Sequence, residues 1–157
     1  MKKILLVYYS YTGNTKQIAQ YIKKNIQEKQ VDLLQLHPKK PYSTDYQKVV
    51  DEEEAKMDQK ETVALPPINL QLESYDEIIL GTPVWWYTIP PVVRSFLKEY
   101  SLKDKEIHAF ITNGGWLGHT VEELKEYTNL KSYINLTFNG NTLQNDQKGI
   151  LNWIKNL

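Results

Sequence analysis

A chain of 157 residues that is 41% hydrophobic and 24% charged has the size and composition of one soluble globular domain able to bury a real core. Nineteen basic residues balance nineteen acidic ones, so the clustered basic excess that attracts nucleic acid is missing. With no cysteine, disulfides, thiolate metal sites and cysteine nucleophiles are all excluded.

The first apolar run, Ile4–Tyr9, follows two lysines but is shorter than a secretory core. It reads as a buried strand, rich in aliphatic residues and β-branched at Ile4 and Val7. No stretch reaches the ~20 apolar residues a membrane helix needs, and the expected location is the cytoplasm. After the small, polar Ser10–Thr15 segment, Ile18, Ala19, Ile22 and Ile26 recur at helical spacing. Val31–Leu36 reads as a second strand. Residues 37–66 read as a surface insertion: Pro38 and Pro41 open it, a short helix carries the acidic run Asp51–Glu54, and Pro66-Pro67 closes it. The acidic run reads as a solvated helix face.

Glu77–Gly81 is the third expected strand. Pro90-Pro91 suits the first turn of a helix whose inner face is Val92, Val93, Phe96 and Leu97. Ile107–Thr112 is the fourth strand, and Thr120-Val121-Glu122-Glu123 has the form of a capping box opening the next helix. Tyr133–Phe138 is the fifth strand. Ile150, Leu151, Ile154 and Leu157 mark a final amphipathic helix. Strands alternating with helices in this way predict an α/β fold, a parallel sheet with helices on both faces, as a single domain over 1–157.

Ligands of such sheets bind beyond the carboxyl ends of the strands, which directs attention to three loops. Ser10, Tyr11, Thr12, Gly13, Asn14 and Thr15 join the first strand to its helix. Free N–H groups at the helix start, three aliphatic hydroxyls and a glycine suit an anion held without any Lys or Arg. The same residues would also make an ordinary helix cap. Thr82, Pro83, Val84, Trp85, Trp86 and Tyr87 follow the third strand. On an extended segment only one of two adjacent indoles faces inward, so the pair suggests a platform for a flat ligand, or packing against the insertion. Asn113, Gly114, Gly115, Trp116 and Gly118 follow the fourth strand, where glycines permit close backbone approach or simply a mobile loop. Taken together, the three loops suit a phosphorylated aromatic heterocycle.

On these motifs the sequence resembles the flavodoxin family over essentially its whole length. Ser10-x-Thr12-Gly13-Asn14-Thr15 is similar to the family's phosphate loop. Gly81-Thr82-Pro83-Val84-Trp85-Trp86 and Thr112-Asn113-Gly114-Gly115-x-x-Gly118 are similar to the two flavin loops of a bacterial subgroup. The resemblance implies a flavodoxin-like doubly wound five-stranded parallel sheet of order 2-1-3-4-5. It also implies non-covalent FMN, its phosphate at Ser10–Thr15 and its isoalloxazine contacting Thr82–Tyr87 and Asn113–Gly118, with Trp85 or Trp86 stacking. The implied role is electron transfer with a redox partner protein. The alternative is an oxidoreductase taking hydride from NAD(P)H to a quinone or similar small acceptor. Two features depart from the family: the chain is neutral where carriers are acidic, and Asn113 and Trp116 stand where His and Gly are common in the subgroup.

Other readings fail on specific residues. A receiver domain needs acidic residues where Tyr9-Ser10 and Gly81-Thr82 stand. A low-molecular-weight tyrosine phosphatase needs a cysteine. Walker and dinucleotide glycine motifs are absent. His37, His108 and His119 lack ligand spacing, and only His119 lies near a flavin loop.

Overall fold

A computed structural model of the chain describes residues 1–56 and 59–157. The elements run β1 (Lys3–Tyr8), α1 (Asn14–Asn25), β2 (Gln30–Gln35), α2 (Tyr46–Glu54), β3 (Glu77–Pro83), α3 (Pro91–Glu99), β4 (Glu106–Asn113), α4 (Thr120–Tyr127), β5 (Leu130–Asn139), β6 (Thr142–Leu143) and α5 (Gln147–Lys155). The sheet order is β2-β1-β3-β4-β5-β6. The first five strands are parallel, as the alternation of elements predicts.

Strand periodicity divides the core in two. Successive side chains of a strand face opposite sides, so β1 sends Leu5 and Val7 one way and Ile4 and Leu6 the other. The first set meets Val92, Val93 and Phe96 of α3 and Leu124 of α4. The second meets Ile18, Ala19 and Ile22 of α1 and Ile150 and Ile154 of α5. Each of these four helices thus lays its apolar stripe on one face of the sheet. Leu151, expected on the inner stripe of α5, is instead exposed.

Three local expectations need correction. The sheet has a sixth strand: a two-residue turn at Gly140-Asn141 folds β6 back antiparallel onto Phe138 and Asn139. The capping box is not formed. His119 is the cap residue, the buried Thr120 hydroxyl has no partner among the described residues, and Glu123 bonds elsewhere. The acidic run is not wholly solvated, because Glu53 turns inward while Asp51, Glu52 and Glu54 stay exposed. Positions 57 and 58 of the insertion lie outside the described residues. Among the described residues no helix is long and apolar enough to cross a membrane.

Candidate cofactor site

The strand order reverses between β1 and β3, and their carboxyl ends open there into two adjoining cavities. One, of about 490 Å³, lies over the β1–α1 loop. The other, of about 580 Å³, lies among the aromatic residues. Tyr11, Val84, Trp85, Asn113 and Gly114 border both.

The first cavity is polar where it meets α1. Asp45 caps α2 and Asp146 caps α5, each side chain accepting a backbone N–H. At α1 the cap residue is Gly13, at φ 98°, and no side chain closes the helix end. Its first N–H groups therefore keep the orphan character and partial positive charge that favour an anion. Ser10 shapes the loop by accepting a hydrogen bond from the Gly13 N–H at 3.2 Å. Thr15 is buried and its hydroxyl meets that of Thr112 at 2.7 Å. One of the pair donates to the other, so a single O–H remains free to turn toward the cavity. The β5–β6 turn completes the rim: the Asn14 amide donates to the Gly140 carbonyl at 2.9 Å, and Gly140 and Asn141 line the space.

The second cavity is built on a strained turn. Trp85 and Thr88 pair as the ends of a tight hairpin, with N–H to carbonyl distances of 2.8 and 3.2 Å. Its two central residues, Trp86 and Tyr87, sit at φ 45° and 71°. That is the pattern of a type I′ turn, usually made by Asn and Gly. Holding two bulky aromatics there costs on the order of 1–2 kcal/mol for each, and the surroundings must impose it. They do. Trp85 sits edge-on to Tyr9, Tyr11 and Tyr42 at centroid distances of 5.6, 5.8 and 5.2 Å. The Trp86 indole donates to the Val50 carbonyl of α2 at 2.9 Å. Tyr87 packs against Trp116 at 4.9 Å. The turn, rather than an extended segment, decides where these rings go. Both indoles border the cavity, while the most open rings nearby are Trp116 (63% exposed) and Tyr46 (59%).

The third loop is held by Asn113. Its amide donates to Asn135 at 2.6 Å and its carbonyl oxygen accepts the Gly115 N–H at 2.9 Å. Gly118, at φ 56°, presses on the hairpin: a Cβ there would lie 2.3 Å from the Tyr87 carbonyl oxygen.

Thirteen of the seventeen residues singled out in the sequence line one cavity or both. Ser10, Gly13, Thr82 and Gly118 do not. Thr82 is fully buried with its hydroxyl bonded to the Pro83 carbonyl, whereas Ser10 and Gly118 are half-buried and Gly13 is exposed at the start of α1. Two contributions were missed: Phe138, Gly140 and Asn141 around the β5–β6 turn, and Tyr46, Val49, Val50 and Glu53 of α2; Thr112, which opens the third motif, also lines the first cavity. The Asn139-Gly140 pair is a hairpin signal that could have revealed the turn. His119 borders a separate surface hollow with Tyr87, and its ring faces Glu122 at 3.4 Å.

Burial pushes the Tyr9 and Tyr42 hydroxyls far above the usual phenol range. It also raises the Glu53 carboxyl, with Glu61 and Glu52 adding to the effect against Lys56 and Arg94. A raised folded-state pKa means that the folded chain holds this proton more tightly than the unfolded one. Stability is therefore lost as pH climbs from the ordinary carboxylate range to the raised value, and the full cost applies above it. Glu53→Gln removes that cost. It should unfold at higher urea than wild type at pH 8, and the gap should close as the pH approaches 4.

The chain is thus an α/β protein of the doubly wound type with a two-part cavity at its switch point. It belongs to the flavodoxin family, whose model, described as Flavodoxin, matches residues 3–157. Among solved structures, it is 28% identical to a protein of Bacteroides eggerthii DSM 20697 assigned to the flavoproteins. That match covers 99% of this chain and 97% of the other, with a TM-score of 0.80. A flavoprotein of Lactobacillus acidophilus NCFM in complex with FMN is 23% identical over 86% of this chain and 93% of its own, with a TM-score of 0.74. A flavodoxin from the domain Archaea is 18% identical over 99% and 92%, at a TM-score of 0.57. No curated protein matches significantly.

Proposed function

We propose that this protein binds one FMN across the two cavities and serves in electron transfer. The observation that carries the reading is the pairing of an uncapped helix N-terminus, ringed by neutral hydroxyls, with an adjoining aromatic cavity. The first suits the phosphate, which would lie against the Thr12–Thr15 backbone and the Thr12 and Thr15 hydroxyls. The second suits the isoalloxazine, with Trp85, Trp86, Tyr87 and the 113–116 loop as neighbours. When bound, the flavin supplies the redox chemistry, while the protein orients it and sets its surroundings.

A second reading, in which NAD(P)H reduces the flavin and a flat acceptor such as a quinone takes the electrons, is favoured by two observations. The chain carries no net charge to steer a charged protein partner, and open rings at Tyr46 and Trp116 border the apolar cavity. An anaerobic absorbance trace of the FMN-loaded protein separates the two. Prompt bleaching by NADPH or NADH alone means an oxidoreductase. Reduction by dithionite only means a carrier that needs a separate reductase. A preparation that neither carries flavin nor quenches the fluorescence of added FMN would overturn both.

Gly118→Ala tests how the hairpin is held. The added methyl meets backbone rather than a yielding side chain, and φ is positive, so the 82–87 loop or the 113–119 loop must move. FMN affinity should fall about tenfold, ~1.4 kcal/mol, in a fluorescence titration. Unchanged affinity would separate the hairpin from flavin binding.

A further inference from the structure

Glu53 is the member of the Asp51–Glu54 run that the fold withdraws from solvent, to 9% exposure. It stands between two spaces. In front is the aromatic cavity, whose wall it shares with Val49, Trp85 and Trp86. Behind is a pocket of about 20 Å³, room for roughly one water, bordered by Thr88, Arg94, Lys56 and Glu61. Among the described residues its neighbours act on the carboxyl by burial and by charge at a distance, and no hydrogen bond holds it. A carboxylate largely withdrawn from solvent and without a hydrogen-bond partner is costly to ionise, and local structure does not require this one. Helix α2 is fixed independently, by its Asp45 cap, by the buried Val49 and by the Trp86 indole on the Val50 carbonyl.

Among the described residues the charged groups that act on Glu53 are Lys56, Arg94, Glu61 and Glu52. Lys56 and Arg94 draw it toward the ionised form, with Arg94 already committed to Glu123. Glu52 and Glu61 oppose them. Tyr9 and Tyr42, on the inner side, stay neutral because burial keeps their protons on. Glu53 is therefore the acid on the wall of the aromatic cavity whose charge is free to respond to a charge arriving inside it.

We propose that Glu53 is the proton-exchanging group of the flavin cavity, taking up a proton when electrons enter a ring held there and releasing it when they leave. The inference rests on the FMN reading above. The electrons come from an added reductant and the proton from solvent. At Glu53 only an O–H bond forms, then breaks on reoxidation, and the added negative charge is offset within the cavity.

The test is a spectroelectrochemical titration of the FMN-loaded protein between pH 5 and 9, for wild type and Glu53→Gln. The two midpoint potentials should coincide at the acid end, where the carboxyl is neutral in both redox states. They should separate as pH rises, the wild type becoming harder to reduce, with a segment steeper than the variant's. A purely structural effect of the substitution shifts the potential equally at every pH, and parallel curves would overturn the proposal. If the variant loses flavin, wild type alone decides. A steep segment absent from free FMN supports the proposal, and a slope matching free FMN throughout overturns it. Wild-type protein that leaves FMN fluorescence unquenched brings down the FMN reading together with this inference. Quenching with parallel curves brings down this inference alone.

Discussion

Thr12→Asp is expected to weaken FMN binding about a hundredfold while changing riboflavin affinity less than threefold. Thr12 is exposed on the β1–α1 loop and lines the polar cavity, so the substitution alters charge without disturbing the core. Residues 10–15 contain no Lys or Arg to neutralise the newcomer. The favourable charge available is the helix end, equivalent to about half a positive charge. Two unit charges about 4 Å apart repel by ~1 kcal/mol in water and ~4 kcal/mol at the effective dielectric of a protein surface. An intermediate value of about 2.7 kcal/mol corresponds to the hundredfold loss. Riboflavin lacks the phosphate and would not feel it. Thr12→Asn controls for shape. Parallel titrations of both flavins against both variants provide the check, and an equal loss for FMN and riboflavin would move the phosphate elsewhere. Gly13 is a poorer position for this experiment. At φ 98° any side chain strains the backbone, so a charged residue there confounds strain with repulsion.

The reasons the fold was legible in the sequence are the reasons parts of the site were not. Ile4–Tyr9, Glu77–Gly81 and Ile107–Thr112 are buried on both faces, so their apolar runs declare them without reference to any other part of the chain. The helices declare themselves through 3.6-residue spacing in the same way. The flavin-loop candidates were visible because they follow those strands. What escaped depends on partners distant in sequence. Trp86 and Tyr87 lie where local preference forbids them, in left-handed backbone, and only α2, Trp116 and the 118–119 backbone explain their presence. The contribution of α2 was hidden because nothing within Tyr46–Glu54 says which acid turns inward. Glu123 had the spacing of a capping box, but a buried guanidinium offers its carboxylate more than a backbone N–H does. The trace of that competition was present: Arg94 is the single charged residue in the stretch from Ile89 to Leu97.

Arg94→Ala should be the most damaging single change outside the strands. The side chain is 3% exposed and meets Glu123, equally buried, through two bonds: Nε to Oε2 at 2.6 Å and Nη2 to Oε1 at 2.8 Å. It also donates to the Glu61 and Ile89 carbonyls, and Glu123 accepts the Thr88 hydroxyl at 2.6 Å. One guanidinium therefore ties α3 to α4, to the segment after α2 and, through Glu123, to Thr88 at the end of the aromatic hairpin. Burial alone would raise the Glu123 carboxyl, but its bonds to Arg94 and Thr88 outweigh burial and hold it below the usual carboxylate range. Such a group adds stability above its unfolded pKa and loses it as pH falls through the lowered one. Removing Arg94 strands a buried carboxylate, which costs about 3–5 kcal/mol, a large share of the 5–15 kcal/mol that holds a typical domain together. The urea midpoint at pH 7 should drop accordingly. Lowering the pH should reverse part of the loss relative to wild type, because protonated Glu123 no longer needs the cation. Arg94→Met with Glu123→Leu should recover most of the stability, since no charge is left unpaired. If the double variant is as unstable as Arg94→Ala, the pair is held for packing rather than charge. If it is stable yet binds FMN more weakly than wild type, the pair's purpose is to hold Thr88 and the strained hairpin in place beside the cavity.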